Sequence, residues 1–98
     1  MIYWGMAELT PKQIEAALPR LKHWTKQGAT LRRTYRFRDF AAAIAFVNRV
    51  AALAETAAHH PDIDIRWNQV TLTLTSHDAG GLTNKDFDLA QQLDAVAR

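Results

Sequence analysis

Three of the four histidines, His59, His60 and His77, fall in two short segments, Glu55-Thr-Ala-Ala-His-His-Pro61 and His77-Asp-Ala-Gly-Gly-Leu-Thr-Asn-Lys-Asp86. Histidine is the side chain whose unperturbed pKa, about 6.5, lies closest to neutral pH. Set beside the carboxylates Glu55 and Asp86, these imidazoles supply the means to move protons without metal or thiolate. His59 falls at the predicted end of a helix, where the negative end of the macrodipole favours imidazolium. Glu55 stands four residues earlier on the same helical face and is expected to hold that ring. Asp86 falls in the first turn of the last predicted helix, where a carboxylate is favoured. An acid, a base and two orienting carboxylates would then share one cleft.

Each residue also has an ordinary reading. A histidine at a helix end often serves only as a cap, Asp86 is needed for a capping box in any case, and Glu55 could be a solvated residue. Zinc often takes three histidines. Adjacent histidines rarely point the same way, however, and no His-x-x-x-His spacing is present, so no metal is expected. Trp24 and Trp67 offer flat surfaces for a ligand, although tryptophan at strand ends more commonly packs in the core or its rim. On these residues alone the reading is an acid/base site for a small molecule.

The elements that must position the site follow from periodicity. Thr10-Pro-Lys-Gln13 reads as a capping box with proline at the first helical position and Leu9 stapled onto Ile14, opening a helix to about Leu18. Trp24 to Gln27 and Thr30 to Arg38 read as strands joined at Gly28, the second alternating apolar and polar except at Arg33. Asp39 caps a long helix whose expected apolar face is Phe40, Ala43, Ile44, Val47, Val50, Ala51, Ala54 and Ala58. That helix should end near His59, because the residue before Pro61 is pushed out of the helical region. Ile63 to Trp67 and Val70 to Thr75 alternate as two more strands, with Asn68-Gln69 as the expected reversal. Thr83-Asn-Lys-Asp86 is a second capping box, and Phe87, Ala90, Leu93 and Ala97 line one side of the last helix. The fold class is therefore α+β: a single domain in the order helix-strand-strand-helix-strand-strand-helix, with a four-stranded antiparallel sheet and three helices on one face. A tight hairpin about Asn68-Gln69 would bring His60 opposite His77, at the open end of the hairpin and beside the end of the central helix.

The whole chain sets limits on this picture. Its 98 residues fit one small domain, for which self-association would add buried surface. A net charge of +2 is too small to imply a nucleic-acid partner. The run Arg32, Arg33, Arg36 and Arg38 alternates with Leu31, Tyr35 and Phe37 and reads as the solvated face of a strand. The chain has no cysteine, hence no disulfide framework. Its first residues lack the pattern of a secretory signal, and no apolar run approaches the ~20 residues that span a bilayer. The default expectation is a cytoplasmic protein with no membrane partner.

At these same residues the chain resembles the pterin-4a-carbinolamine dehydratase family over nearly its whole length. The most specific part is Glu55-x-x-x-His59-His60-Pro61, an aromatic at Trp67, His77, and Gly81-Leu82-Thr83-x-x-Asp86. Two departures are small: Trp67 stands where tyrosine is common, and His23 where a glycine often precedes the tryptophan. The resemblance implies a hydro-lyase of the 4a-hydroxytetrahydrobiopterin dehydratase type, recycling the pterin cofactor after aromatic amino acid hydroxylation. His59, His60 and His77 are then the expected catalytic trio, with Glu55, Pro61, Trp67 and Asp86 around the substrate. No cofactor is implied, since the pterin is the substrate. A homodimer or homotetramer and a functional link to an aromatic amino acid hydroxylase are implied as well. Because animal members also serve as dimerisation partners of a transcription factor, a non-catalytic interaction module of the same fold is the alternative.

Overall fold

The computed structural model describes residues 7–97, which fold into three α-helices and one antiparallel sheet. Helix α1 (Pro11–Ala17) opens on the expected box: Thr10 accepts from the Gln13 amide, while the Gln13 side chain accepts from the Thr10 amide. It passes into a 3₁₀ turn at Leu18–Arg20 that carries Pro19. Strands β1 (Thr25–Gln27) and β2 (Thr30–Arg36) form a hairpin, helix α2 spans Phe40–Ala57, strands β3 (Asp62–Arg66) and β4 (Gln69–Leu74) form a second hairpin, and helix α3 spans Asn84–Val96. The spatial order is β1-β2-β4-β3, so the two hairpins meet along β2 and β4.

One face of the sheet carries the core. Leu31 and Tyr35 of β2 and Val70, Leu72 and Leu74 of β4 are buried against Ala43, Phe46 and Val50 of α2 and Phe87, Ala90 and Leu93 of α3. Ile14 and Ala17 of α1 pack against the same cluster. The other face is polar; Thr34 and Thr71, paired across β2 and β4, bond through their hydroxyls at 2.8 Å.

Two details depart from the sequence reading. Phe46, absent from the expected face of α2, is fully buried, whereas Phe40, Ala51 and Ala58 are exposed. Apolar residues surround this helix, so periodicity leaves its rotation undetermined. Contact of Phe46 with Tyr35 and Phe37, at ring centroid distances of 4.7 and 5.0 Å, sets it. By length and composition α2 could cross a membrane, but Asn48, Arg49 and Glu55 interrupt its apolar residues, and one face of it packs on the sheet as a core helix does.

The second hairpin turns one position early. Arg66 faces Gln69, and Trp67 with Asn68 forms the turn, Trp67 taking the left-handed φ of +52°. Asn68 is drawn inward: its Nδ2 donates to the Phe37 carbonyl and its own carbonyl accepts from the Phe37 amide, both at 2.8 Å. A buried amide tied to the end of β2 fixes the register more firmly than turn propensity does. Arg33, the residue that broke the alternation, stays on the core side of β2 and reaches Asp94 of α3 at 2.7 Å.

Candidate active site

The site begins where α2 stops. Ala58 takes a left-handed conformation (φ 52°, ψ 39°), and its amide bonds back to the Ala54 and Glu55 carbonyls, with the His59 amide also on Ala54. Helices commonly end this way on glycine; an alanine there costs about 1 kcal/mol. The reversal takes His59 out of helical phase and turns its ring inward.

The inward partner is Asp86. His59 Nε2 lies 2.6 Å from Asp86 Oδ1, with the imidazole largely buried and the carboxylate fully so. The other carboxylate oxygen accepts from the Thr83 amide at 2.9 Å and from the Ser76 hydroxyl at 2.8 Å. Each hydroxyl has one proton, which orders the chain of bonds: Lys85 N–H donates to Thr83 Oγ1, Thr83 O–H to Ser76 Oγ, and Ser76 O–H to Asp86. A carboxylate surrounded by donors at the start of α3, where the macrodipole favours negative charge, accepts from His59 as well. His59 Nε2 is then the protonated nitrogen, and Nδ1 remains for other work.

Glu55 does not hold His59, as the helical spacing implied. It pairs with His60, Oε2 to Nε2 at 2.5 Å, on the exposed rim. The turn at Ala58 explains the exchange, because the second histidine rather than the first swings back over the last turn of α2.

His77 opens a 3₁₀ turn, His77–Ala79, directly after β4; Gly80 (φ 80°) closes it by donating to the His77 carbonyl. His59, His60 and His77 line one cavity of about 240 Å³ together with Asp78 and Lys85. The observed register brings His60 level with Thr75 rather than with His77, two positions from expectation. The rings still share a pocket, because the 3₁₀ turn keeps residue 77 at this end of the hairpin.

The remaining expected residues divide. Asp86 joins the site from behind His59 and has no exposed surface of its own. Pro61 is half-buried, starts the path into β3 and lies outside the cavity lining. Trp67, 69% exposed at the hairpin tip, lies five residues of extended strand from Asp62, about 17 Å away, and so is not part of this pocket. Trp24 is buried, and its Nε1 donates to Asp94 at 3.0 Å. Sequence reading missed Ser76, Asp78 and Lys85: a serine after a strand and charges in a loop have no periodic signature. Among the described residues no three His, Asp or Glu side chains are grouped to hold a metal ion.

Residues 7–96 match the family model for pterin 4 alpha carbinolamine dehydratase. A relative from Roseiflexus sp. (strain RS-1) is 59% identical over 88 residues, covering 90% of this chain and 95% of that protein. One from Acidobacterium capsulatum is 57% identical over 91 residues, covering 93% and 99%. Both are provisionally named as pterin-4-alpha-carbinolamine dehydratases. Among solved structures, a transcriptional coactivator/pterin dehydratase from Brucella melitensis superposes with a TM-score of 0.88 at 32% identity, over 93% of this chain and 99% of that one. A pterin dehydratase-like protein identified as a RuBisCO assembly factor in the alpha-carboxysome gives 0.67 at 28% identity, over 80% and 93%. With the match running from the first described residue almost to the last, the chain belongs to the pterin-4-alpha-carbinolamine dehydratase family.

Proposed function

We propose that this protein dehydrates a 4a-hydroxytetrahydropterin to the quinonoid dihydropterin and water by histidine acid/base catalysis. Hydroxide is a poor leaving group, so the C4a oxygen must gain a proton as the carbon–oxygen bond breaks. The N5–H must lose its proton as the C4a–N5 double bond forms. One proton enters and one leaves, and the products are the dihydropterin and one water. His59 and His77 are the proton-transfer pair in this reading, with His60 orienting the pterin and Glu55 steadying His60. Asp86 acts through His59, holding the ring and its tautomer. General acid–base help of this kind is typically worth ~10²–10⁴-fold in rate.

The observation that carries the reading is the convergence of three imidazoles, from the end of α2 and the loop after β4, on one cavity with a buried carboxylate behind the first. The test is stopped-flow decay of the 4a-carbinolamine with purified protein. His59→Ala and His77→Ala should each slow the catalysed step at least tenfold. Rates like the parent's in both variants would remove these roles.

A second reading has its own support. Phe40, Ile63, Ile65 and Trp67 are exposed at 51, 40, 36 and 69%, and β3 is an edge strand whose isoleucines extend the core face past the helices. Apolar surface on an unpaired edge favours association. We read it as the seat of a homodimer or homotetramer, with the exposed Ala41 and Ala45 of α2 allowing close helix approach. The two solved structures named for coactivator and assembly roles give the interaction module its weight as an alternative. A cytoplasmic setting and a link to an aromatic amino acid hydroxylase belong with the dehydratase reading. Light scattering on the full chain measures the copy number, and a monomer at micromolar concentration would remove the oligomer.

A further inference from the structure

Ser76 follows β4 and touches both halves of the histidine site. Its side chain works toward His59: the hydroxyl lies 2.8 Å from Asp86 Oδ2, and Asp86 Oδ1 lies 2.6 Å from His59 Nε2. Its backbone works toward His77. The Ser76 amide donates to the Gly81 carbonyl and the Ser76 carbonyl accepts from the Gly81 amide, both at 3.3 Å, an isolated antiparallel bridge. The same carbonyl accepts from the Ala79 amide at 3.0 Å. The 3₁₀ turn that carries His77 is therefore closed inside a loop whose two ends are Ser76 and Gly81.

The hydroxyl has little freedom. Ser76 is 6% exposed, and Thr83 and Asp86 have no exposed surface, so their polar atoms must find partners inside the protein. With Thr83 Oγ1 accepting from the Lys85 amide and its proton given to Ser76 Oγ, the one proton of Ser76 goes to Asp86. Asp86 Oδ2 then holds two donors, the Ser76 hydroxyl and the Thr83 amide, and the plane of the carboxylate is fixed with Oδ1 toward the ring. With the amide alone, the carboxylate could turn about its Cβ–Cγ bond and the hydrogen on His59 would lose its fixed acceptor. Alanine at 76 can neither take the Thr83 proton nor give one to Asp86. Cysteine does both weakly, and threonine does both.

We propose that Ser76 is a positioning residue for the proton-transfer pair. Its hydroxyl fixes Asp86, and through Asp86 the Nε2–H tautomer of His59, while its bridge to Gly81 fixes the turn bearing His77. The consequence for rate rests on the dehydratase reading; the consequence for the ring does not.

Two measurements on the full chain test this. Ring nitrogen NMR at about pH 9, where imidazole is ordinarily neutral, should show His59 as the Nε2–H tautomer in the parent and as a mixture of both tautomers in Ser76→Ala. In stopped-flow dehydration Ser76→Ala should lower kcat about tenfold while KM moves less than ~threefold, because the tautomer bears on proton transfer more than on binding. Ser76→Thr should restore both readouts. Ser76→Cys, with its weak donor, should lie between serine and alanine and decides the case if the alanine variant does not fold. An unchanged His59 tautomer in the folded alanine or cysteine variant, a loss of stability alone, or a threonine variant that restores neither readout would each overturn it. A parent without dehydration activity would remove the dehydratase reading and leave the ring spectra to decide the role of Ser76.

Discussion

Two of the three aspartates of helix α3, Asp86 and Asp94, stand eight residues apart, and each gathers several donors from other parts of the chain. Asp86 takes His59, Ser76 and the Thr83 amide; Asp94 takes Trp24, Arg33 and Tyr35. Their helical positions are opposite in sign. Asp86 lies in the first turn, where the macrodipole stabilises a carboxylate, and its ring partner is the His59 imidazole. Asp94 lies near the C-terminus, where the dipole opposes negative charge, and the guanidinium of Arg33 compensates. The same side chain thus orients a cavity-lining imidazole at one end of the helix and closes a fixed polar knot at the other. What separates a site from a strut here is the partner's chemistry: an imidazole can both donate and accept a proton, whereas a guanidinium only donates hydrogen bonds.

The sharpest break of this contrast is Asp94→Ala. Arg33, largely buried, would lose its counter-charge while Trp24 and Tyr35 lost their acceptor. The expected loss is about 3 kcal/mol of stability, read by urea denaturation, with catalytic rate per folded molecule kept. An equal loss of rate and stability would erase the distinction between the two aspartates. Asp86→Asn should do the reverse, lowering the dehydration rate at least tenfold for a stability cost of about 1–2 kcal/mol through the weakened cap. Full activity in that variant would leave Asp86 as a capping residue alone.

Tyr35 supplies a pH test. Burial, followed by the hydrogen bond to Asp94, pushes its phenol well above the ordinary tyrosine range. The folded state then keeps a proton that the unfolded state releases above pH ~10, so stability holds below that pH and falls as pH rises past it. Tyr35→Phe should cost about 1 kcal/mol at neutral pH and flatten the alkaline decline. An unchanged alkaline slope would show the phenol contributes nothing to it. Smallest is Glu55→Gln: the Glu55–His60 pair is solvent-exposed, so stability should move by less than ~0.5 kcal/mol and the rate by only a few-fold. A tenfold fall in rate would raise His60 to the rank assigned to His59 and His77.

Much of this arrangement was legible in the chain. The two capping boxes, at Thr10 and Thr83, and the alternation of β2 and β4 gave element order and fold class, because caps and two-residue periods are local properties. Less legible was anything decided between elements. The rotation of α2 depended on Phe46 meeting Tyr35 and Phe37, and the hairpin register on Asn68 reaching Phe37. The pairing of His59 with Asp86 rather than Glu55 followed from a left-handed alanine that no propensity favours.

The order of letters alone determined which groups were on hand: three imidazoles, two carboxylates, and helix ends placed to carry them, since these depend on residue type and short spacing. Only the packed chain decided which carboxylate met which ring, that Trp67 stood apart from the histidines, and that Ser76 joined the turn of His77 to Asp86. Contacts between residues 27 or 61 positions apart are set by the joint packing of sheet and helices, a property that no local stretch of sequence possesses.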